Sequence, residues 1–280
     1  MALARLCWLS CALGASAAAW APARAQNPVE RPSPTVCRSE AAGGGTVRVV
    51  TDGRSFTLDD GREIRLAGIE VPLPPGAGET GPRAQAGLAA RAALAALVEG
   101  AAIELGRSGA GSDRYGRLLA QATVVRDGRR QSVAHEMLAQ GFARVSAEVG
   151  ERPCAEELLR RERAAREAKL GLWAEPYYAV VGAETLPELV AERGRFAVVE
   201  GEVWSVRESG GTIYVNFGRR WSQGLTVTIA KRNERNFIAA GLPPRTLEHR
   251  RVRVRGFIEE RNGPRIEATR PEQIEIAERH

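Results

Sequence analysis

The sequence predicts a mainly β protein with appended helices: a five-stranded barrel of OB type followed by a second, smaller OB-like barrel. Three observations point there. Short alternations of apolar and polar residues, separated by Asp-Gly dipeptides, mark strands joined by tight hairpins. A stretch with helical spacing falls between the third and fourth strand of each half, and the order of three strands, one helix and two strands occurs twice along the chain.

The elements follow in order. Residues 1–25 read as a secretory signal peptide: Arg5, an apolar run from Leu6 to Trp20, then Ala23-Arg24-Ala25 before Gln26. The run is short of the ~20 residues that cross a bilayer and no second one follows, so no membrane span is expected in the mature chain. Residues 26–44, with Pro28, Pro32, Pro34 and Gly43 to Gly45, read as a flexible tail. Strands are expected at Thr46 to Val50, Ser55 to Leu58 and Glu63 to Ile69, with turns at Asp52-Gly53 and Asp60-Gly61. Pro72, Pro74 and Pro75 break the sheet before a helix from Gln85 to Val98. Strands at Ala102 to Gly106 and Leu118 to Val125, a turn at Asp127-Gly128, and helices at Val133 to Gln140 and Ala155 to Lys169 complete the first half, residues 45–174.

A linker with a short helix capped at Thr185 spans residues 175–194, and the second half spans residues 195–278. Its expected strands are Ala197 to Val206, Thr212 to Phe217, Leu225 to Ile229, Arg251 to Ile258 and Arg265 to Ala268, with a helix from Asn233 to Ala240.

The 280 residues are 44% hydrophobic, enough to supply real cores. Removing residues 1–25 takes away Arg5 and Arg24 and no acid, so the formal charge falls from +6 to +4. That excess alone does not argue for nucleic acid; its distribution matters more, because Arg245, Arg250, Arg251, Arg253 and Arg255 stand against Glu248 alone. The cysteines left after cleavage, Cys37 and Cys154, read as one disulfide in an oxidising compartment, or as two separate buried thiols. An exported protein, periplasmic or secreted, is the expectation.

Four separated motifs resemble the staphylococcal-nuclease-like (thermonuclease-like) family in order and spacing: Thr51-Asp52-Gly53-Arg54-Ser55, the strand Ile64 to Pro72, the turn Asp113-Arg114-Tyr115-Gly116-Arg117, and Ala168 to Trp173. The resemblance implies a phosphate clamp at Arg65 and Arg117, with Tyr115 by the nucleotide and Arg114 in place of a lysine. Family members that cleave nucleic acid hold calcium on two aspartates and use a glutamate as general base. Here the first metal aspartate falls on Arg54, the second on Glu70, the threonine before the proline on Val71, and the base on Leu73.

Calcium takes six to eight oxygen ligands, and a guanidinium in place of a carboxylate repels it. The arginine forks retain their use, since gripping phosphate needs only planar donors. The expected function is therefore binding of nucleic acid or another phosphodiester polyanion, without a cofactor. One alternative is a divergent phosphodiesterase that recruits Glu70 with Asp52 or Glu79, with Ca2+ if a metal is used. Another is an envelope scaffold on which the arginines are surface charge paired with Glu63 or Asp113. Asp52, Asp59 and Asp60 also read as hairpin-turn residues and Glu79 as a solvated loop charge.

In the second half, Arg251, Arg253 and Arg255 alternate with Val252 and Val254, so one face presents three cations, either to a polyanion or as a charged edge strand. Arg219, Arg220 and Trp221 form a candidate binding loop, with Trp204 and Tyr214 as further stacking surfaces or core aromatics. His135, His249 and His280 lack the spacing of a zinc site, and no glycine-rich phosphate loop or nucleophile elbow occurs.

Overall fold

The computed structural model describes residue 37 and residues 39–126, 128–149, 152–220 and 224–277. The expected signal peptide lies outside these residues, as do Asp127 of the expected turn and Trp221 of the expected binding loop.

The first half opens with β1 (Glu40–Asp52), β2 (Ser55–Leu58) and β3 (Glu63–Leu66), the short β4 (Ile69–Glu70), and α1 (Pro82–Val98). Then come β5 (Ala102–Ser112), β6 (Leu118–Arg126), β7 (Arg129–Ser132), α2 (Val133–Ala139), β8 (Arg144–Val145) and α3 (Arg152–Glu167). The sheet runs β3-β2-β1-β5-β6-β7, and a parallel pairing of β3 with β6 closes five of its strands into a barrel. Closure is possible because the inward positions, among them Phe56, Leu58, Ile64, Leu66 and Leu105, are apolar and buried. Each such side chain contributes about 1.5–3 kcal/mol.

The glycine run is not the flexible lead that its composition predicts. Strand β1 begins at Glu40, and Gly44 and Gly45 pair with Glu104 and Ile103 of β5. A Cβ on Gly44 would stand 2.2 Å from the Ile103 carbonyl oxygen, so glycine is what lets the two strands approach. Helix α1 lies against the barrel by the same logic of small residues. Ala90 meets Gly53, and Gly87 sits on the Leu73 carbonyl, which ties the proline-rich loop to the helix. Helix α3 buries Cys154, Leu158, Leu159 and Glu162, and the Cys37–Cys154 disulfide ties the start of the described chain to it.

The second half continues with β9 (Val181–Gly182), α4 (Leu186–Ala191), β10 (Phe196–Glu202), β11 (Ser205–Ser209), β12 (Thr212–Asn216) and β13 (Thr226–Ala230). It ends with α5 (Glu234–Ala239), β14 (Arg251–Phe257), β15 (Glu259–Glu260), β16 (Pro264–Glu267) and β17 (Ile274–Ile276). Thr185 stands at the start of α4, but its side chain makes no capping hydrogen bond.

In place of one closed ladder, these strands form two sheets, β17-β14-β10-β9 and β11-β12-β13-β16-β15, around a shared core that includes Val199, Phe217, Ile229 and Phe237. The physical reason is a break in the expected first strand. Val203 donates its backbone N–H to Arg250 and Trp204 donates to Asn216, so the chain leaves one ladder and joins the other there.

The described residues form one compact unit. The halves meet where Trp173 and Ala165 pack on Phe196 and Val198. Beside that contact Arg255 is 0% exposed. It donates to Glu162 Oε2 at 2.8 Å and to Glu162 Oε1 at 3.1 Å, and it pairs with Glu275. No helix among the described residues is long and apolar enough to cross a membrane.

Candidate nucleic-acid interface

Arg65 owes its position to strand register. In β3, Ile64 and Leu66 point into the barrel, which turns Arg65 outward, and the register sets it between Ser55 of β2 and Leu119 of β6. Arg117 is the last residue of the turn that leads into β6, immediately before Leu118, which pairs with Ile64 of β3. Arg65 forms no ion pair among the described residues.

Arg117 is held by the turn that precedes it. Asp113 Oδ1 accepts the backbone N–H of Tyr115 at 2.9 Å and of Arg117 at 3.1 Å, and Gly116 takes φ 80° to close the loop. Asp113 Oδ2 accepts Arg117 Nε at 2.8 Å, which orients the guanidinium. Burial pushes the Asp113 carboxyl up, but the Arg117 guanidinium and the two backbone donors outweigh it and hold it below the usual carboxylate range. The expected pairing of Arg117 with Asp113 is therefore present, while the pairing of Arg65 with Glu63 is not found.

Tyr115 is 67% exposed, with the guanidinium carbons of Arg114 and Arg117 at 4.8 Å and 5.3 Å from its ring centroid. Ring and Arg114 fork face solvent, while the Arg117 guanidinium lies lower, with its Nε and Nη2 on Asp113 Oδ2. The β3–β6 pairing thus sets Arg65 on the strand beside the one that follows the turn of Arg114, Tyr115 and Arg117.

The residues expected around a metal have other partners. Arg54 Nη1 lies 2.7 Å from Glu70 Oε1 and donates to the Ile69 carbonyl at 2.9 Å, with both side chains largely buried. Glu70 also stands opposite Arg144 in the β4–β8 pairing, and the Arg144 guanidinium lies over the rings of Tyr178 and Phe196. Burial lowers the Arg144 pKa, with Glu162, Tyr178 and Glu70 acting against it. Sequence reading missed Arg144, because a two-residue strand carries no periodicity that would mark it.

Asp52 Oδ1 accepts the Arg54 backbone N–H at 2.8 Å, and Asp59 and Asp60 accept the N–H groups of Asp60 and Arg62, so all three serve turns. Glu79 Oε2 accepts the Gly76 N–H at 2.9 Å and folds back on its own loop. Leu73, at the base position, is 58% exposed and carries no titratable proton. Among the described residues no three His, Cys, Asp or Glu side chains group as metal ligands. The donor chemistry does not fit calcium: the carboxylate best placed for it already faces a guanidinium where the cation would sit.

In the second half, the expected face of three cations is corrected. The alternation along β14 holds, with Val252 and Val254 in the core, but the opposite face goes from exposed at Arg251 through half-buried at Arg253 to sealed at Arg255. Arg251 and Arg253 both pair with Glu200, and Arg255 is sealed against Glu162 and Glu275. Burial pushes Glu200 up, but those two guanidiniums hold its carboxyl below the usual range. Arg255 therefore cannot touch a ligand in solution, and Arg253 is partly covered. Arg219 and Arg220 are exposed, with the Arg219 guanidinium carbon 4.8 Å from the ring centroid of Trp204. Trp221 lies outside the described residues.

A closed five-stranded OB-type barrel with outward arginines beside a tyrosine defines a nuclease-like, nucleic-acid-binding fold. Residues 63–175 match the family model described as staphylococcal nuclease homologue, so this part of the chain is a staphylococcal-nuclease-like domain. No curated protein matches the chain. Strands β1 and β2, upstream of the matched span, complete the same barrel.

Proposed function

We propose that the chain is an exported nuclease-like protein that binds nucleic acid or another phosphodiester polyanion through Arg65, Arg114, Tyr115 and Arg117, and that it does not carry out calcium-dependent hydrolysis. The observation that carries this reading is the ion pair between Arg54 and Glu70 at 2.7 Å. It neutralises the carboxylate that a divalent ion would need and puts a fixed positive charge in the same space. The base position adds to this: without a proton acceptor a hydrolase forgoes ~10²- to 10⁴-fold in rate. The clamp needs neither metal nor base, since each guanidinium presents its own fork of donors to phosphate oxygens.

Export is supported by the N-terminal pattern of residues 1–25 and by the Cys37–Cys154 disulfide, a bond that persists in oxidising compartments. No cofactor enters the proposed activity.

The test uses the mature protein with labelled single-stranded DNA and RNA, in calcium and in chelator. The expected result is intact substrate, and binding that weakens steeply with salt, with Arg65→Ala and Arg117→Ala each lowering the salt slope by about one. Calcium-dependent cleavage that disappears in Arg65→Ala overturns the reading. If nothing binds at low salt, the clamp is surface charge on a scaffold and the reading also fails.

A further inference from the structure

We propose a second binding site: the cleft on the outer face of β11, β12, β13 and β16 takes one nucleotide unit of single-stranded nucleic acid, with its base on Tyr214 and its phosphates on Arg207, Arg261 and Arg265. The site is made by register. Ile213 and Val215 of β12 are buried, which leaves Tyr214 and Asn216 on the opposite face. Pairing sets Arg207 beside Tyr214, Asn216 beside Thr226, and Thr226 beside Arg265, so these residues form one continuous polar surface across four strands.

A turn walls this surface. Asn262 and Gly263 take φ 59° and 123°, which folds Arg261 over the end of β16 and encloses a cleft of about 410 Å³. That volume falls in the range of small-ligand sites, about 300–1,000 Å³.

Charge identifies the ligand as an anion. Two of the three arginines share the carboxylate of Glu259, which lies 3.1 Å from Arg265 and 4.0 Å from Arg261. Arg207 has no ion-pair partner among the described residues, and the buried Arg265 Nε has no hydrogen-bond acceptor. The donors that a phosphate oxygen can reach are those of Arg207, which is exposed, and of Arg261, whose side chain is 71% exposed.

The remaining groups narrow the class. Tyr214 supplies a stacking plane, and a stacking plane on a sheet reaches a base only when that base is not already stacked in a duplex. Asn216 Oδ1 accepts from Thr226 Oγ1 at 3.2 Å and its Nδ2 donates to Ser205 Oγ at 3.4 Å, which leaves one N–H and one lone pair for a base edge. An inorganic anion would use the arginines and leave ring and amide idle.

This site is separate from the Arg65 and Arg117 surface, so it is tested in the full mature chain carrying Arg65→Ala and Arg117→Ala. Fluorescence anisotropy follows a labelled single strand of about eight nucleotides, a length matched to one barrel-sized site. Binding is expected to persist, Tyr214→Ala to weaken it about 5- to 100-fold, and Tyr214→Phe to retain it. Arg207→Ala, at an exposed position, is expected to lower the salt slope by about one. Unlabelled single strand is expected to compete better than inorganic phosphate, an acidic peptide or a blunt duplex.

The proposal is overturned if the doubly substituted background does not bind. It is equally overturned if Tyr214→Ala binds like its parent at unchanged melting temperature, or if phosphate, peptide or duplex competes as well as single strand. If wild type and the doubly substituted background bind alike and Tyr214→Ala weakens both, the first surface fails and the cleft stands.

Discussion

Replacing Arg255 by methionine removes the cation that Glu162 and Glu275 share at the contact between the two halves. Glu162 would keep Arg166 at 3.1 Å and the Val145 N–H, and Glu275 would keep Arg163 at 3.4 Å. Breaking a buried pair by deleting one partner costs about 3–5 kcal/mol, and the surviving partners favour the low end of that range. At about 2–4 °C per kcal/mol for a chain of this size, the melting temperature should fall by roughly 6–12 °C. The assay is urea unfolding followed by tryptophan fluorescence, to which Trp173 contributes from the contact itself.

The pH dependence carries a sign. Burial pushes the Glu275 carboxyl up, but Arg255 holds it below the usual glutamate value. In wild type its stabilisation is present above the unfolded value of about 4.3 and is lost as pH falls through the folded one. Without Arg255, burial raises the carboxyl, so the variant's deficit is largest near neutrality and narrows on acidification. Exchanging all three groups, as Arg255→Met with Glu162→Gln and Glu275→Leu, should recover only part of the loss, since no carboxylate is left buried without Arg255 but Arg166 and Arg163 lose their partners. A single variant within about 1 kcal/mol of wild type at neutral pH, or a deficit that widens in acid, would refute the reasoning.

Arg54→Asp frees Glu70 and adds a carboxylate, so titration calorimetry should detect weak calcium binding, of order 10⁻⁴ to 10⁻³ M, that wild type lacks. Reducing the Cys37–Cys154 bond, which closes a loop of sequence separation 117, should lower stability by about 4–5 kcal/mol in urea unfolding. His135 is held below its ordinary value of 6.5, first by burial and then by Arg161, with Glu157 opposing. The unfolded chain therefore binds the proton more readily, stability falls as pH drops below about 6.5, and His135→Gln should flatten that slope. An NMR titration of the His135 ring checks the direction.

The legible parts of this protein were local or periodic. Alternation marked Ile64 and Leu66 as inward and so turned Arg65 outward, and Asp113 with Gly116 marked a turn that would aim Arg117. Illegible were features set by what covers a surface. Arg251, Arg253 and Arg255 share one face of β14 as their spacing predicts, yet Glu200 takes up Arg251 and Arg253, and the approach of α3 with Glu162 decides that Arg255 never meets solvent. Gly43 to Gly45 have the composition of a tail, and only the partner strand β5 shows that Gly44 is a packing residue. The cleft over Tyr214 was equally hidden, because Arg265 is far in sequence from the Arg207–Tyr214 hairpin and reaches it only through the pairing of β16 with β13.

The amino-acid order alone determined the strand and turn plan of the first half, the outward turn of Arg65, and the absence of a carboxylate at positions 54 and 73. Those depend on backbone periodicity and on side-chain chemistry, which act over a few residues. Tertiary structure alone decided that Arg54 neutralises Glu70, that Arg255 fastens the two halves together, and that Arg207 joins Arg261 and Arg265 at one cleft. The reason is that a charge acquires its role from the burial and partner it meets, and both are fixed by contacts between segments that the local pattern does not encode.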